Sequence, residues 1–187
     1  MIRNVHARRL PVQACVARAA LGQLATELDR VWPSGTWPSL QLDSGLTPGS
    51  AGGHGPIRYQ LALVDDRSIV FEFGHASGFT GTHRFDVRPD GLACEVVHTI
   101  EMRAAGVNRL RWALAVRWLH DALLEDLLDE LTRAVGAAVR TPARWSPYVR
   151  LLRRTFRITG SRASSGDRKL RSRDVVQHDV EVVVVGR

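Results

Sequence analysis

Four runs of alternating apolar and polar residues stand in the middle of this 187-residue chain, and a long amphipathic segment follows them directly. The runs cover residues 57–64, 69–73, 83–87 and 94–102. Side chains two residues apart share one face of a strand, so each run gives a strand with one apolar and one polar face. Turn-forming residues at 65–67 and 89–91 join neighbouring strands. The pattern therefore predicts an antiparallel meander that is covered on one face.

The apolar face of this predicted sheet collects side chains from all four strands. Its expected members are Ile57, Tyr59, Leu61, Leu63, Ile69, Phe71, Phe73, His83, Phe85, Val87, Cys94, Val96, His98, Ile100 and Met102. His83 and His98 stand out, because an imidazole on an apolar face must find a hydrogen-bond partner or lose stability. The two histidines can orient a polar group of a ligand or move protons. They can equally be structural histidines that are bonded to the backbone or to water.

Residues 108–135 are predicted to form one long helix, which Asn108 caps and Gly136 ends. Its apolar stripe is wide enough to cover the apolar face of the sheet, and His120 lies at the edge of the stripe. The stripe consists of Trp112, Val116, Leu119, Leu123, Leu127 and Leu131, broadened by Leu124, Leu128 and Val135. The remaining helix surface is expected to carry Arg111, Asp121, Glu125, Asp129 and Arg133.

The N-terminal third of the chain precedes this sheet. Residues 3–9 predict an edge strand, and residues 11–28 predict two short helices divided at Gly22. Two Trp-Pro pairs within residues 31–38 end the helical spacing. Residues 43–56 are rich in Gly, Ser and Pro and are interpreted as a loop that folds over the mouth of a cavity.

The basic charge of the chain is concentrated at its C-terminal end. Residues 140–187 contain 12 of the 26 Lys and Arg but 4 of the 19 Asp and Glu, a net charge of +8, and the rest of the chain nets −1. We therefore expect one folded domain over residues 1–150 and a basic tail over 151–187 with a strand-prone Val-rich end. Residues 143–158 suit an amphipathic helix on anionic lipid or nucleic acid. The preferred alternative is a short docked helix followed by a disordered linker, so nucleic-acid binding is not favoured.

Several classes of protein are not indicated by the sequence. It has no apolar run long enough to span a membrane and no secretory signal, so a cytoplasmic protein without integral membrane association is expected. The histidines His54, His75, His83 and His98 lack the spacing that places metal ligands on one helix face, so no metal is expected. Motifs for nucleotide binding or a serine nucleophile are also missing, so no cofactor is expected. A homodimer is compatible with the sequence.

Four local strings resemble the SRPBCC superfamily, which includes START domains, polyketide cyclases and dehydrases, and birch-pollen-allergen-like proteins. They are TWPSLQLD at 36–43, GGHGPIRY at 52–59, GFTGTHRFDV at 78–87 and WLHDALLEDLLDEL at 118–131. The resemblance covers residues 1–150 and specifies a fold better than a reaction. It implies the α+β helix-grip fold, in which a curved antiparallel sheet wraps around a long C-terminal helix and two short helices follow the first strand.

The helix-grip resemblance implies an apolar cavity between sheet and helix, and hence a hydrophobic small-molecule ligand such as a lipid, a polyketide or an isoprenoid. The expected ligand-binding residues are Tyr59, Phe71, Phe73, Phe85, Ile100, Met102, Trp112 and His120, although the same side chains can simply pack as a core. The alternative is an enzyme of the polyketide cyclase or aromatase type, with His83 and His98 as catalytic acid and base. A third interpretation is a regulatory protein that binds nucleic acid or a membrane through its basic tail.

Overall fold

A seven-stranded antiparallel sheet organises the computed structural model, which describes residues 1–74 and 78–155. The strand order is β1-β7-β6-β5-β4-β3-β2, so the predicted meander is confirmed and the N-terminal strand lies at one edge, beside β7. The strands are β1 (Ile2–Leu10), β2 (Gln41–Leu42), β3 (Ala51–His54), β4 (Ile57–Val64), β5 (Ser68–Phe73), β6 (Phe79–Asp90) and β7 (Ala93–Ala104).

The predicted apolar face is buried or partly buried, and Leu63 of β4 is its one exposed member. In β7 every second residue from Cys94 to Met102 is almost fully buried. Leu63, however, is 45% exposed, because a β-bulge between Leu61 and Leu63 shifts the register against β5. Val64 then pairs with Ile69, and Leu63 turns to solvent. A bulge bends and twists its strand, so the same irregularity contributes to the curvature of the sheet.

The long helix forms as predicted, but a π-helical turn interrupts its α-helical hydrogen bonding. It consists of α2 (Val107–Arg111), a π-helical turn over Trp112–Val116, and α3 (Arg117–Ala134). The prediction that Asn108 caps it is wrong: Gly106 precedes the first turn, and the Asn108 side chain donates to the Gly78 carbonyl instead. Gly136 ends the helix as predicted, with a φ of +76° that a glycine adopts without strain.

Three local predictions before and within the sheet differ from the structure. The first helix, α1, spans Ala14–Leu21, but residues 22–28 form successive turns rather than a second helix. Residues 51–54 of the predicted glycine-rich loop form β3, which pairs with β4 through backbone groups and needs no apolar alternation. The turn between β6 and β7 lies at Gly91 and Leu92, so Pro89 and Asp90 still belong to β6.

The core has two apolar clusters that both meet the concave face of the sheet. The larger cluster joins Tyr59, Phe71 and Phe85 of the sheet to the α3 leucines, all of which are buried: Leu123, Leu124, Leu127, Leu128 and Leu131. The smaller cluster consists of Phe79, Ile100, Met102 and Trp112. The sheet and the long helix therefore bury their apolar faces against each other, as the predicted helix-grip arrangement requires.

The chain divides into a unit over Met1–Val149 and a second unit that begins at Arg150. The described residues of the second unit, 150–155, are helical. The rest of the predicted basic tail and its Val-rich strand lie outside the described residues. None of the helices in the described part of the chain combines the length and the apolar character needed to cross a membrane.

Candidate ligand-binding site

The inward face of β1 is polar, and its spacing matches that of carboxylates on α3. Along β1 the even-numbered residues are less exposed than their neighbours, which places Asn4, His6 and Arg8 toward the helix. Two residues of a strand advance about 6.6 Å, and four residues of a helix advance about 6 Å. Polar residues at every second position of β1 therefore align with Asp121 and Glu125, four residues apart on α3, and with Asp129 one turn further on.

Each of these alignments is a direct contact. The Asn4 amide and the His6 Nε2 lie 2.9 and 3.1 Å from Asp121 Oδ1. The other nitrogen of His6, Nδ1, lies 2.9 Å from Glu125 Oε1. Arg8 donates to Glu125 at 3.0 Å and to Asp129 at 2.7 Å. The prediction that these three carboxylates lie on the remaining helix surface is wrong for Asp129, whose side chain is 5% exposed, whereas the side chains of Asp121 and Glu125 beside β1 stay 29% and 44% exposed.

These carboxylates decide the charge of His6. Burial alone would lower the pKa of His6, but its hydrogen bonds to Asp121 and Glu125 outweigh burial and raise that pKa to about 9. His6 is therefore an imidazolium at neutral pH and donates from both ring nitrogens. Burial tends to raise the pKa of Asp121, yet its interactions with His120, His6 and Asn4 hold that pKa well below the usual range.

A row of imidazole rings runs from this charged pair into the interior. The centroid of the His6 ring lies 5.8 Å from that of His120, which lies 5.2 Å from that of His98. His98 in turn lies 5.7 Å from His83. We call His6, His120, His98 and His83 the histidine row. Sequence reasoning places two of its members on the same apolar face, and the fold extends them into a continuous series.

His83 and His98 form a neutral pair at the inner end of the histidine row. Nε2 of His98 lies 3.5 Å from Nδ1 of His83, and burial lowers the pKa of both imidazoles well below their ordinary value. The outer nitrogens of the pair, Nε2 of His83 and Nδ1 of His98, are buried and have no hydrogen-bond partner among the described residues. The Nδ1 atom of His120 is likewise buried and has no hydrogen-bond partner among the described residues.

The neutral pair offers a donor and an acceptor at once. A neutral imidazole carries one N–H and one bare nitrogen. If His98 Nε2–H donates to His83, the outer nitrogen of His83 keeps its proton and that of His98 is bare. If His83 donates instead, the two outer nitrogens exchange these roles. In either arrangement, one end of the pair can donate a hydrogen bond while the other end accepts one.

The predicted ligand-binding residues lie around the histidine row. The centroid of the His83 ring lies 4.7 Å from that of Tyr59 and 5.2 Å from that of Phe73. The His83 ring stacks on Phe71, with 4.8 Å between the centroids and an interplanar angle of 12°. The remaining predicted residues lie close by: Phe85 is 4.7 Å from His98, Trp112 is 6.1 Å from His120, and Ile100 and Met102 pack with Trp112. Burial raises the pKa of Tyr59, so its phenol stays protonated.

Sequence reasoning missed the outer end of the histidine row. His6, Asp121 and Glu125 carry polar chemistry into the site, yet none of them is a predicted site residue. The signal that could have found them is the alternation within β1, where Asn4, His6 and Arg8 share one face between Ile2 and Leu10. A polar stripe on the inward face of a strand requires polar partners, which the helix supplies at a spacing of four residues.

Comparisons with known proteins identify the fold. No protein-family model and no curated protein sequence matches the chain. Among solved structures, an X-ray structure of norcoclaurine synthase from Thalictrum flavum in complex with dopamine and hydroxybenzaldehyde is similar with a TM-score of 0.54 and 16% sequence identity. That match covers 72% of this chain and 87% of the enzyme chain.

Two bacterial proteins are similar to the chain in the same way. A solution structure from Thermobifida fusca has a TM-score of 0.55 and 19% identity, and covers 73% of this chain and 94% of its own. CalU16 from Micromonospora echinospora has a TM-score of 0.52 and 11% identity, with 82% of both chains covered. The chain thus has the fold of these structures, a curved antiparallel sheet around a long helix, as the resemblance of its local strings implied.

Proposed function

We propose that this protein binds a small, largely apolar molecule with a hydroxyl or carbonyl group in the interior between the sheet and α3. One observation carries the proposal: His83 and His98 each hold a buried nitrogen without a partner among the described residues. Such an atom costs about 1–3 kcal/mol, and a ligand that hydrogen-bonds to it recovers that free energy. The aromatic rings around the histidine row supply apolar contact.

Lipids, polyketides and isoprenoids that carry oxygen all fit this description. The bound molecules of the norcoclaurine synthase structure, dopamine and hydroxybenzaldehyde, are aromatic and oxygenated, which supports a ligand of this kind on the same fold. Because the histidine pair is neutral, it suits an uncharged hydroxyl or carbonyl better than a carboxylate. The predicted residues Tyr59, Phe71, Phe73 and Phe85 then contact the apolar body of the ligand.

The second candidate function is catalysis of the polyketide cyclase or aromatase type. It is supported by the pairing of a donor and an acceptor in the His83–His98 pair. An aldol-type cyclisation removes a proton from carbon and delivers one to a carbonyl oxygen, and it therefore needs a base and an acid together. The two outer nitrogens of the pair can fill these roles, and a shift of the proton between the rings leaves both rings neutral with the roles of acid and base exchanged.

Native mass spectrometry of protein isolated from its own host tests the binding proposal. We expect a co-purifying mass of a few hundred daltons that organic extraction removes, and extracted protein that regains it from the same extract. The His83→Phe variant, which keeps an aromatic ring and removes both nitrogens, should lose at least tenfold in affinity for the extracted compound. The matched control His54→Phe lies outside the pair and should bind within about twofold of wild type. No adduct and no rebinding would refute the proposal.

The same variants separate a carrier from an enzyme. In an enzyme, His83→Phe or His98→Phe should abolish conversion of the extracted compound, while affinity changes much less than turnover. In a carrier, the compound is recovered unchanged after incubation with wild-type protein, and the substitutions change affinity alone. Mass analysis of the bound and released compound distinguishes the two results.

A further inference from the structure

Three metal-ligating side chains converge at the outer end of the histidine row. Nε2 of His6, Nδ1 of His120 and Oδ1 of Asp121 all lie within 4.8 Å of one another. His6 comes from β1, whereas His120 and Asp121 come from the first turns of α3. The sequence spacing of histidines gives no sign of this group, because His6 lies more than 110 residues before His120 and Asp121.

The distances within the group suit a tetrahedral ion. Metal bonds of about 2.0–2.1 Å to nitrogen and oxygen place neighbouring ligand atoms roughly 3.3 Å apart in a tetrahedron. The His6 nitrogen lies 3.1 Å from Asp121 Oδ1, and the His120 nitrogen lies 3.8 Å from the same oxygen. Shifts of a few tenths of an ångström therefore bring all three atoms to bonding distance of one centre.

His120 supplies the observation that an ion pair alone does not explain. Asp121 accepts hydrogen bonds from His6 and Asn4, so its buried carboxylate has partners without any metal. The Nδ1 atom of His120 is buried beside them and has no hydrogen-bond partner among the described residues. This nitrogen lies 3.8 Å from Asp121 Oδ1, which is beyond hydrogen-bond distance, and a cation placed between the two atoms would bind both of them.

The surroundings of the group resemble the outer shell of a metal site. Glu125 accepts a hydrogen bond from the nitrogen of His6 that faces away from the group, an arrangement that fixes the ring and strengthens its basicity toward a metal. The Asn4 amide holds the Asp121 carboxylate in place. The side chains of His6 and His120 are 12% and 13% exposed, so the group lies just below the protein surface.

The geometry points to a site for a divalent transition-metal ion, Zn²⁺ or a chemically similar ion, with His6, His120 and Asp121 as ligands, and binding of the ion releases to solvent the proton that His6 Nε2 donates to Asp121. Two imidazoles and a carboxylate are a donor set that zinc accepts, and three protein ligands leave a fourth position for water or a ligand oxygen. His120 also contacts His98, so this open position lies next to the proposed ligand site. The metal proposal does not depend on which molecule binds there.

Titration of ligand-free protein without a polyhistidine tag tests the metal site. Co²⁺ serves as the probe because a four-coordinate complex absorbs visible light, and Zn²⁺ should displace it and remove the absorption. We expect one equivalent of Co²⁺ to bind. His120→Gln and Asp121→Asn should each weaken Co²⁺ affinity by at least tenfold, and Glu125→Gln should weaken it by about tenfold through the lost support of His6.

The control variant His54→Gln removes a histidine outside the group and should bind Co²⁺ within about twofold of wild type. His120→Gln is the decisive variant, because His120 makes no hydrogen bond that the fold requires, and far-ultraviolet circular dichroism verifies its folding. Three results would each overturn the site: no visible band at millimolar Co²⁺, equal affinity in wild type and His120→Gln, or an equal loss in His54→Gln. None of them bears on the native mass spectrometry experiment.

Discussion

The two ends of the histidine row hold the same side chain in opposite states of charge. At the outer end, His6 donates to Asp121 and Glu125 and keeps its proton up to a pH of about 9. At the inner end, aromatic rings surround His83 and His98, and burial keeps them neutral. The distance between neighbouring rings along the row never exceeds 5.8 Å.

This difference shows that partners, and not burial alone, decide what an interior histidine does. Desolvation lowers the pKa at both ends, and the carboxylates of α3 reverse the result at one of them. At the outer end, both nitrogens of His6 therefore have carboxylate partners, and these hydrogen bonds stabilise the fold. The inner end keeps unused donors and acceptors, which is the state expected of a site that awaits a ligand.

The largest expected effect is the loss of a buried carboxylate at the charged end. Asp129 is 5% exposed and accepts hydrogen bonds from Arg8 at 2.7 Å and from the Ala143 amide at 2.8 Å. Asp129→Ala leaves both donors without this partner and should lower the free energy of unfolding by about 3 kcal/mol. Urea unfolding measures the change.

The adjacent residue of β1 offers a matched control for Asp129→Ala. Arg9 points outward and pairs with Asp90 at 2.8 Å, with side chains that are 67% and 59% exposed. Asp90→Ala should therefore lower the free energy of unfolding by less than about 1 kcal/mol. If Asp129→Ala and Asp90→Ala lower the free energy of unfolding by similar amounts, the contact of β1 with α3 is no more stabilising than an exposed ion pair.

Opposite pH dependences are expected from the two kinds of interior histidine. His6 has a folded pKa of about 9 against an ordinary value of 6.5, so its contribution is complete below pH 6.5 and is lost as pH rises toward 9. Burial lowers the pKa of His54 to about 4, so its contribution is present above pH 6.5 and is lost as pH falls toward 4. Each loss amounts to at most about 3 kcal/mol at 1.36 kcal/mol per pKa unit.

Urea unfolding between pH 4 and pH 9, in the presence of a chelator, measures both contributions. The His6→Gln variant should lose the alkaline decline and keep the acid one. His54→Gln should keep the alkaline decline and show a smaller acid decline, because the buried His83 and His98, whose pKa values are also lowered, still contribute to the acid loss. An alkaline decline that persists in His6→Gln would mean that another group, and not this imidazolium, carries it.

The smallest expected effect is removal of the neutral pair. The double variant His83→Phe/His98→Leu takes away the unpaired nitrogens together with the weak contact between the rings. In ligand-free protein, its free energy of unfolding should stay within about 1 kcal/mol of wild type or rise. His6→Leu, which strips Asp121 and Glu125 of their partner, should lower that free energy by about 2 kcal/mol. A double variant that is the less stable of the two would contradict the assignment of unused polar groups to the inner end.

The meander was predictable because apolar and polar residues alternate along a strand when one face of the sheet is buried and the other is exposed. In strands β4 to β7 the side chains lie on the predicted faces, except at the bulge in β4 that exposes Leu63. The bulge arises from backbone pairing with β5, and the order of apolar and polar residues does not indicate it. The short strand at residues 51–54 was missed for a similar reason. Two of its four residues are glycines, so its side chains carry no alternation and its pairing is made by the backbone.

The site was predictable only in its inner half. His83 and His98 were found because they interrupt an apolar face, and the aromatic residues around them follow from the same alternation. His6 was missed because β1 has few apolar residues to reveal its faces. Asp129 was predicted to be exposed because a carboxylate on the helix side opposite a leucine stripe normally faces water. The sequence of a helix does not show that a strand will cover part of that side.

The sequence alone determined the order of strands and helix and the face on which each strand is buried, because periodicity is a local property of the chain. Only the tertiary structure decided the proton states of the histidines and the partners of the α3 carboxylates. Those properties depend on distances between residues more than a hundred positions apart, and the packing of β1 against α3 sets these distances.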